Sequence, residues 1–357
     1  MYVVKGRHRI MKKNIFKRVL AGLSIVAVMG CLTGCNNKIK VEYQYDAAQY
    51  VTLGEYKGLE VNIDRTEVEN ELIEKKIKED IESYTEYTEV KREAKEEDRV
   101  TVTFTGSIGG MTIEGFSGED STYVLGKDTF LIDGFIDALY GMKSGDKKVV
   151  TLTVPETFTE NTDYAGKRIV YDLSVTKVEQ VNVPMMTDGF VKETFGINTV
   201  AEYKETLRKN LSSKVDEEVA AIKKEKVLLK LQENATINGY PEEFLAKKKE
   251  EFESSIKVYA LMLNLSNDEY CQKNFGFSFD EYVKKAVAQD AIIQLVAKQE
   301  QLYVTEYEYK DKLEPFALAQ GYTSKEAFVE KYGKNEIVKN MLFEKAQNFV
   351  IDSAVVK

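Results

Sequence analysis

Few of the side chains that usually carry out acid–base or covalent chemistry are present in this sequence. Its 357 residues include one histidine, His8, and three cysteines, Cys31, Cys35 and Cys271, with no tryptophan. Zinc sites are built from Cys, His and carboxylate ligands, and serine or cysteine nucleophiles are commonly activated by a histidine. The positions of these four residues therefore decide which chemistry the protein can use.

The N-terminal residues 1–34 have the composition of a secretion signal. The mainly apolar run 19–32 is shorter than the ~20 residues of a transmembrane helix, but suits the roughly 7–15 apolar residues of a signal peptide. It follows a cationic stretch that contains Lys5, Arg7, Arg9, Lys12, Lys13, Lys17 and Arg18 and no acid. We expect a signal peptide, with a short uncleaved span as the alternative. Met11, followed by two lysines, is a more natural start than Met1.

The stretch LTGC at 32–35 resembles a bacterial lipoprotein box. Small residues before the cut allow the backbone to enter the peptidase, and the thiol of Cys35 would accept the diacylglyceryl group. Cys31 fits less well, because Met29 stands where a smaller residue is usual. Two acyl chains anchor a protein stably where one does not. The resemblance implies lipidation at Cys35 and a place on the extracytoplasmic face of the cell membrane.

Removal of this leader would change the chemistry that is available. The net charge is −9 for the whole chain, and from Cys35 onward 43 basic and 59 acidic residues would give −16. Such an acidic body is not expected to bind nucleic acid. With His8 removed and Cys35 lipidated, Cys271 would be the one free cysteine, so we expect no disulfide, no metal site and no cofactor. Carboxylate chemistry remains possible, and any catalysis should depend mostly on shape and apolar surroundings.

Residues 35–95 are interpreted as a tether and connector. The stretch YVTLGEYKGLEVNI alternates as a strand does, and TEVENELIEKKIKEDIESY has apolar residues at helical intervals. Thr66 and Glu69 have the spacing of a capping box at the start of that helix. The charged stretch KREAKEEDR is interpreted as a solvated connector.

Residues 96–180 change to the two-residue period of strands. RVTVTFTGSIGGMTIEGF predicts a hairpin that turns at Gly109-Gly110, and KKVVTLTVP and KRIVYDLSVTKV predict further strands. Between them, FLIDGFIDALYGMKSGD predicts one short helix, capped by Asp133 and ended by Gly141 or Gly145. Together these elements predict a curved antiparallel sheet that closes on one short helix.

Residues 181–357 have helical periodicity almost throughout. Several Ser and Thr residues precede a Glu by three positions near the start of an amphipathic run, as in capping boxes. These pairs are Thr199/Glu202, Ser266/Glu269, Ser278/Glu281, Thr305/Glu308 and Thr323/Glu326. The predicted fold class is α+β, with a sheet region followed by an all-helical domain.

The motif order of the middle region resembles that of an FKBP-type peptidyl-prolyl isomerase domain. VTVTFTG, IEGF, YVLGKDTFLIDGF, GMKSGDKKVVTLTVPETF and IVYDLSV follow one another as in that family. The flanks LGEYKGLEV and VPMMTDGFVKETFGINTVAEYKETLRKNL, and the tail ending in YGKNEIVKNMLFEKAQNFV, resemble bacterial trigger factor. The resemblance implies an isomerase domain at 96–180 and a helical chaperone domain at 181–357. No stretch resembles the family's ribosome-docking domain with its Gly-Phe-Arg-type loop, so ribosome docking is not expected.

The resemblance also implies an apolar bowl for a prolyl ring. Phe135 would be its floor, the backbone N–H of Ile132 would orient the substrate, and Glu114 falls where the family has an acid near the carbonyl. The other members carried over by position are Phe104, Ile113, Leu131, Phe158 and Tyr171, with Tyr123 at the edge. Rotation about an X–Pro bond breaks no bond, and an apolar cleft favours the twisted state over the polar planar one. The alternative is that these aromatic residues simply fill a small barrel core.

Departures from the family pattern leave turnover open. Ile113 stands where an aromatic is common, Asp133 where trigger factors often have Pro, and one extra residue lies between Gly126 and Gly134. The first hypothesis is a lipid-anchored extracytoplasmic foldase, whose partners are unfolded or newly translocated polypeptides with X-Pro bonds. The second is a holdase or adaptor whose barrel has lost turnover. The third, a solute-binding lipoprotein, predicts two α/β lobes, and the long helical tail argues against it.

For the helical region, the resemblance implies arms whose exposed apolar residues hold unfolded segments. Apolar stripes at helical spacing are usually buried core, and those in question are Val227, Leu228, Leu231, Val258, Leu261 and Leu265. Methionine suits either a promiscuous surface or a gap in a core, and the candidates are Met185, Met186, Met262 and Met341.

Overall fold

The described part of the chain divides into two compact units. Unit 1 contains residues 65–216, and unit 2 contains residues 37–64 together with residues 217–357. The computed structural model describes residues 37–156, 158, 163–263 and 265–357, without the side chains of Glu114 and Met262. The predicted signal peptide and the predicted lipidation site, Cys35, lie outside the described residues.

Strands and helices alternate early in the chain, and helices dominate later. The strands are β1 (Val51–Thr52), β2 (Glu60–Val61), β3 (Glu86–Glu89), β4 (Arg99–Ile108), β5 (Met111–Val124), β6 (Lys147–Thr153), β7 (Arg168–Asn182), β8 (Thr236–Ile237) and β9 (Val355–Val356). The α-helices are α1 (Arg65–Ser83), α2 (Asp188–Phe195), α3 (Val200–Asn210), α4 (Ser212–Asn234), α5 (Glu242–Met262), α6 (Asn267–Phe275), α7 (Phe279–Gln299), α8 (Glu306–Ala319) and α9 (Lys325–Ser353). Short 3₁₀ helices cover Ala47–Gln49 and Asp137–Leu139. The α+β fold class is confirmed.

The long strand β7 is the centre of an antiparallel sheet in unit 1. It pairs with β4 along one edge, and β6 and β3 pair with successive parts of its other edge. Strand β5 completes the sheet beyond β4, and the turn between them uses Gly109 and Gly110 at φ +60° and +84°. Positive φ at both turn positions suits glycine and the right-handed twist of the hairpin. The hairpin and the further strands predicted from the two-residue period are confirmed.

The helix predicted within residues 130–146 is shorter than expected. Only Asp137–Leu139 forms a 3₁₀ turn, and its N-cap is Ile136, so the prediction of Asp133 as the cap is wrong. Gly134 has φ +83°, a left-handed conformation that an α-helix cannot contain. The residues before it therefore form turns, and Gly141 at φ +77° follows the 3₁₀ turn closely.

Helices α1, α2 and α3 form a second small core in unit 1. Ile73 and Ile77 of α1 pack with Val191, Tyr203 and Leu207. Helix α1 begins at Arg65, so Thr66 lies inside the helix and is not its N-cap as predicted. The carboxylate of Glu69, expected in that capping box, instead accepts a hydrogen bond of 2.9 Å from Nε of Arg208.

Unit 2 has a large core to which the segment 37–64 contributes. Ala47, Val51 and Leu59 are buried among residues of α4, α7, α8 and α9. Strand β1 pairs with β8, which directly follows α4, and β2 pairs in parallel with the C-terminal β9. Residues interpreted as a tether are therefore part of the folded helical unit.

Most of the predicted helix caps in the C-terminal region are confirmed. Ser266, Ser278 and Thr305 each form a complete capping box with the Glu three positions on. Thr199 caps α3, although the carboxylate of Glu202 accepts from the N–H of Asn198. The capping box predicted at Thr323/Glu326 was wrong by one residue. Ser324 is the N-cap, and its hydroxyl accepts from the N–H of Ala327.

The described residues contain neither a candidate membrane span nor a candidate metal site. No helix among them is both long and apolar enough to cross a bilayer. Within the same residues, His, Cys, Asp and Glu side chains do not gather in groups of three that could hold a metal ion. Cys271 is fully buried in α6 with a free thiol.

Candidate functional site

Three aromatic rings that were predicted for the bowl lie against one another in unit 1. Phe104 on β4 and Tyr171 on β7 come from paired strands, and Phe135 comes from the turns before the 3₁₀ helix. The ring centroid of Phe135 lies 4.8 Å from that of Phe104 and 5.1 Å from that of Tyr171, both edge-on. The structure brings the predicted floor and two predicted walls together, all nearly fully buried.

Two glycines leave room for the wall residues. A Cβ atom at Gly118 on β5 would lie 2.7 Å from Cε1 of Phe104. One at Gly106 on β4 would lie 2.9 Å from Cε1 of Tyr171. Protein interiors are too densely packed to absorb such overlaps, so any larger residue would push the rings aside. These two glycines are required by close packing rather than by a turn.

Ile113 and Phe158 are buried in the same core as these rings. The ring of Phe158 packs against that of Phe116 at 5.5 Å, and Phe116 also contacts Tyr164. Side chains three positions apart on a regular strand point to opposite faces, but Ile113 and Phe116 are both buried. The register shift in β5 and Gly115 at φ +89° account for this, because a bulge turns the chain between them.

The remaining predicted positions differ in exposure. Ile132 is buried, and its N–H makes no hydrogen bond to another described residue, which leaves it available for a ligand. Leu131 is 41% exposed, and Tyr123 is half-buried, with its ring 5.8 Å from that of Phe135. Glu114 lies in β5, and its side chain is not among those that the structure describes.

Sequence reasoning missed Phe130, which lies at the middle of this group. Its ring stacks on that of Phe135 with a centroid distance of 3.7 Å and an angle of 20° between the planes. It also contacts the rings of Phe104 at 5.4 Å, Tyr123 at 5.9 Å and Tyr171 at 6.0 Å. The signal that could have found it is the extra residue between Gly126 and Gly134, which alters the positions that face the bowl.

The chemistry of this cluster is that of neutral apolar surfaces. Burial raises the pKa of Tyr123 to about 12, and burial raises the pKa of Tyr171 further. Both hydroxyls therefore stay protonated at neutral pH. The Tyr171 hydroxyl is buried and has no hydrogen-bond partner among the described residues. Such a site can bind an apolar ring and offer few donors, which is what twisting an amide requires.

Two family models match successive parts of the chain. Residues 90–176 match the model described as FKBP-type peptidyl-prolyl cis-trans isomerase. Residues 199–352 match the model described as bacterial trigger factor protein C-terminus. All the residues of the aromatic cluster lie within the first match.

Relatives that align with most of the chain agree with these matches. The trigger factor of Lachnoclostridium phytofermentans is 30% identical over 85% of this chain and 72% of that protein. The trigger factor of a Geobacillus species is 30% identical over 86% of this chain and 73% of that protein. The chain belongs to the trigger factor family. A solved structure of the trigger factor chaperone is similar at 22% identity, with a TM-score of 0.49 over 85% of this chain and 72% of that one.

Membership of the trigger factor family gives the two parts of the chain their roles. The chain is a trigger factor-like chaperone with an FKBP-type isomerase domain, and this family binds unfolded client polypeptides. In the helical region, Val227, Leu228 and Leu231 are buried core, whereas Val258 and Leu261 of α5 are exposed. Of the candidate methionines, Met185 is exposed, Met186 is half-buried and Met341 is buried.

Proposed function

We propose that this trigger factor family member is a membrane-anchored, extracytoplasmic foldase that combines prolyl isomerisation with chaperone activity. Its clients would be secreted or newly translocated polypeptides that contain X-Pro bonds. The observation that carries the isomerase part is the buried contact of Phe135 with Phe104 and Tyr171, inside the region that matches the FKBP-type model.

The geometry supports catalysis by differential stabilisation. The barrier to rotation about a peptide bond is roughly 18–20 kcal/mol, because resonance holds the amide planar. Water stabilises the planar and more polar state, so transfer into an apolar bowl favours the twisted state. Phe135 would support the prolyl ring, and the N–H of Ile132, which has no hydrogen-bond partner among the described residues, would hold the preceding carbonyl. No bond is broken, so the scarcity of acid–base groups is no obstacle.

An exposed apolar strip on α5 supports the chaperone part. Val258, Tyr259 and Leu261 are each about half exposed, at 54%, 44% and 48%. Their neighbours Ile256 and Ala260 on the same helix are buried in the small core with α6 and α7. The strip therefore adds apolar surface that the packing of unit 2 does not use, and such surface suits unfolded segments.

The lipid anchor is proposed from the sequence around Cys35. The packing of the residues that follow Cys35 indicates which unit such an anchor would hold at the membrane. The carbonyl of Asn37 accepts from the N–H of Glu306 at 3.1 Å, and the N–H of Ile39 donates to the carbonyl of Val304 at 2.9 Å. Asn37 is two residues from Cys35, a distance of at most about 7 Å. A lipid on Cys35 would thus hold unit 2 directly at the membrane surface.

The anchor is tested by comparing Cys35→Ala with Cys31→Ala in cells. We expect Cys35→Ala to leave the membrane fraction and to lose processing, while Cys31→Ala behaves as wild type. Membrane association and processing that are unchanged in Cys35→Ala would exclude a lipid anchor at this residue.

The isomerase part is tested with the soluble chain of residues 36–357 and a peptide containing Phe-Pro. We expect accelerated isomerisation, and Phe135→Ala should abolish it while unfolded protein is still kept from aggregating. If the folded wild-type chain prevents aggregation but does not accelerate isomerisation, the isomerase assignment is wrong.

A holdase without turnover is the second candidate, and one observation favours it. The ring of Phe130 covers the face of Phe135 on which a prolyl ring would stack. If Phe130 never moved, the bowl would be permanently filled and the barrel would be a scaffold alone. The peptide assay separates the two candidates.

A further inference from the structure

The position of Phe130 relative to the bowl indicates how access could be controlled. Its centroid lies within 6.0 Å of the rings of Phe104, Phe135 and Tyr171, and 5.9 Å from that of Tyr123. Among these five rings, Phe130 and Phe135 each contact all four of the others, whereas Phe104 and Tyr171 each contact three. Phe130 therefore shares the centre of the cluster with the predicted floor residue.

Phe130 and a prolyl ring cannot use the bowl together. A centroid separation of 3.7 Å is the contact distance of stacked carbon atoms, so no atom fits between Phe130 and Phe135. Phe135 is fully buried, and Phe130 is the stacked partner on its ring face. A five-membered prolyl ring that packs on Phe135 would need the space that the phenyl ring fills.

The segment that carries Phe130 is held weakly compared with its ends. The backbone of Thr129–Leu131 makes no hydrogen bond to other described residues. On one side the carboxylate of Asp128 accepts from the N–H of Val124 at 2.7 Å, and on the other the carbonyl of Ile132 accepts from the N–H of Phe135. Each end has a hydrogen bond, while the backbone of the three residues between them has none within the described part of the chain, and Thr129 and Leu131 are exposed.

We propose that Phe130 is an intramolecular gate, an occupant of the bowl that a client's prolyl ring displaces. This inference rests on the proposed isomerase function and adds a regulated entry to it. A site that is competent only in the open fraction of molecules binds with an affinity reduced by that fraction. Gating therefore raises KM and leaves kcat unchanged, because Phe130 is absent from the bowl once the client is bound.

The kinetic test compares Phe130→Ala with Thr129→Ala in the chain of residues 36–357. Thr129 is exposed on the same segment and serves as the matched control. We expect Phe130→Ala to lower KM for a blocked Ala-Phe-Pro-Phe peptide by at least about threefold with kcat unchanged. Thr129→Ala should match wild type. A loss of activity in Phe130→Ala would overturn the gate and make Phe130 a wall of the bowl.

A second readout does not depend on turnover. 4-Fluorophenylalanine at position 130 reports the ring current of Phe135 in its ¹⁹F resonance. We expect the Phe-Pro peptide to shift that resonance, and the same peptide with Ala in place of Pro to leave it unchanged. An unchanged resonance at peptide concentrations up to saturation of turnover overturns the gate.

The two readouts separate failure of the gate from failure of the proposed function. If wild type and Phe130→Ala are both folded and inactive, the isomerase function fails. In that case, a ¹⁹F shift that requires Pro in the peptide would still support a gated binding site. The absence of a shift at millimolar peptide would overturn the gate too.

Discussion

The hydroxyl of Tyr45 donates a hydrogen bond of 2.6 Å to Oδ1 of Asp290. It joins the N-terminal segment of unit 2 to helix α7, in which Ala288 and Ala291 on either side of Asp290 are buried. Burial raises the pKa of the Asp290 carboxyl, although nearby Lys339, the Tyr45 hydroxyl and Lys248 act in the opposite direction. The carboxylate at this junction is therefore costly to ionise.

Asp290→Asn should stabilise unit 2 at neutral pH. The pKa of this carboxyl is higher in the folded chain than the ~3.9 of the unfolded chain. Its contribution to stability is therefore complete below ~3.9 and is lost as the pH rises through the pKa of the folded chain. Asparagine keeps an oxygen that accepts from Tyr45 and cannot ionise. We expect the free energy of unfolding to rise by on the order of 1 kcal/mol at pH 7.5, with no gain near pH 4. Urea unfolding at both pH values measures this, and a less stable variant at pH 7.5 would contradict it.

Glu179 on β7 should give unit 1 the opposite response to acid. Burial raises the pKa of this carboxyl, but Lys177 at 2.5 Å and Arg99 at 2.6 Å together lower it below its usual value. Its stabilisation is therefore present above the unfolded pKa of ~4.3 and is lost as pH falls through the folded pKa. Glu179→Gln should cost about 2 kcal/mol at pH 7 and flatten the loss of stability between pH 5 and 3. Equal pH profiles of variant and wild type would contradict this assignment.

The start of helix α9 offers a comparison of two adjacent hydroxyls. The Ser324 hydroxyl accepts from the N–H of Ala327, whereas Thr323 precedes the cap and is exposed. Ser324→Ala should lower the free energy of unfolding by about 1 kcal/mol, because it leaves a helix-end N–H without its acceptor. Thr323→Ala should change it by a few tenths at most. Urea unfolding of the two variants decides which hydroxyl is the cap.

Local features of the fold were predictable because short-range sequence signals determine them. The Gly109-Gly110 turn and the capping boxes of Ser266, Ser278 and Thr305 depend on residues within a few positions of one another. The prediction of a helix capped by Asp133 was wrong for a local reason as well, because the positive φ of Gly134 interrupts a helix there. Helical periodicity alone does not show which glycines adopt positive φ.

Long-range packing was less accessible from the sequence. Residues 37–64 pack with helices more than 150 positions away, and the strand-like alternation within this segment does not show which distant helices it contacts. For the candidate site, Phe104, Phe135 and Tyr171 came together as expected, but the position of Phe130 depends on how a loop with one extra residue is accommodated. Tertiary packing, and not residue spacing, determines the conformation of this loop.

The hydroxyl of Tyr171 should destabilise unit 1. It is buried without a hydrogen-bond partner among the described residues, and burial keeps it protonated by raising its pKa. An unsatisfied buried hydroxyl costs about 1–3 kcal/mol, and Tyr171→Phe removes it while it retains the ring contacts with Phe104 and Phe135. We expect the free energy of unfolding to increase by about 1 kcal/mol, measured by urea titration with circular dichroism.

Tyr203→Phe in the same unit is the matched control. The Tyr203 hydroxyl is also buried, but it donates a hydrogen bond to Oδ2 of Asp80. The same chemical change should therefore lower the stability there, because it removes one of the donors to the buried Asp80 carboxylate and leaves Lys76 to bind its other oxygen. Most substitutions destabilise, so opposite signs for the two variants would be diagnostic. A loss of stability in both would mean that the Tyr171 hydroxyl has a partner, such as a bound water, in solution.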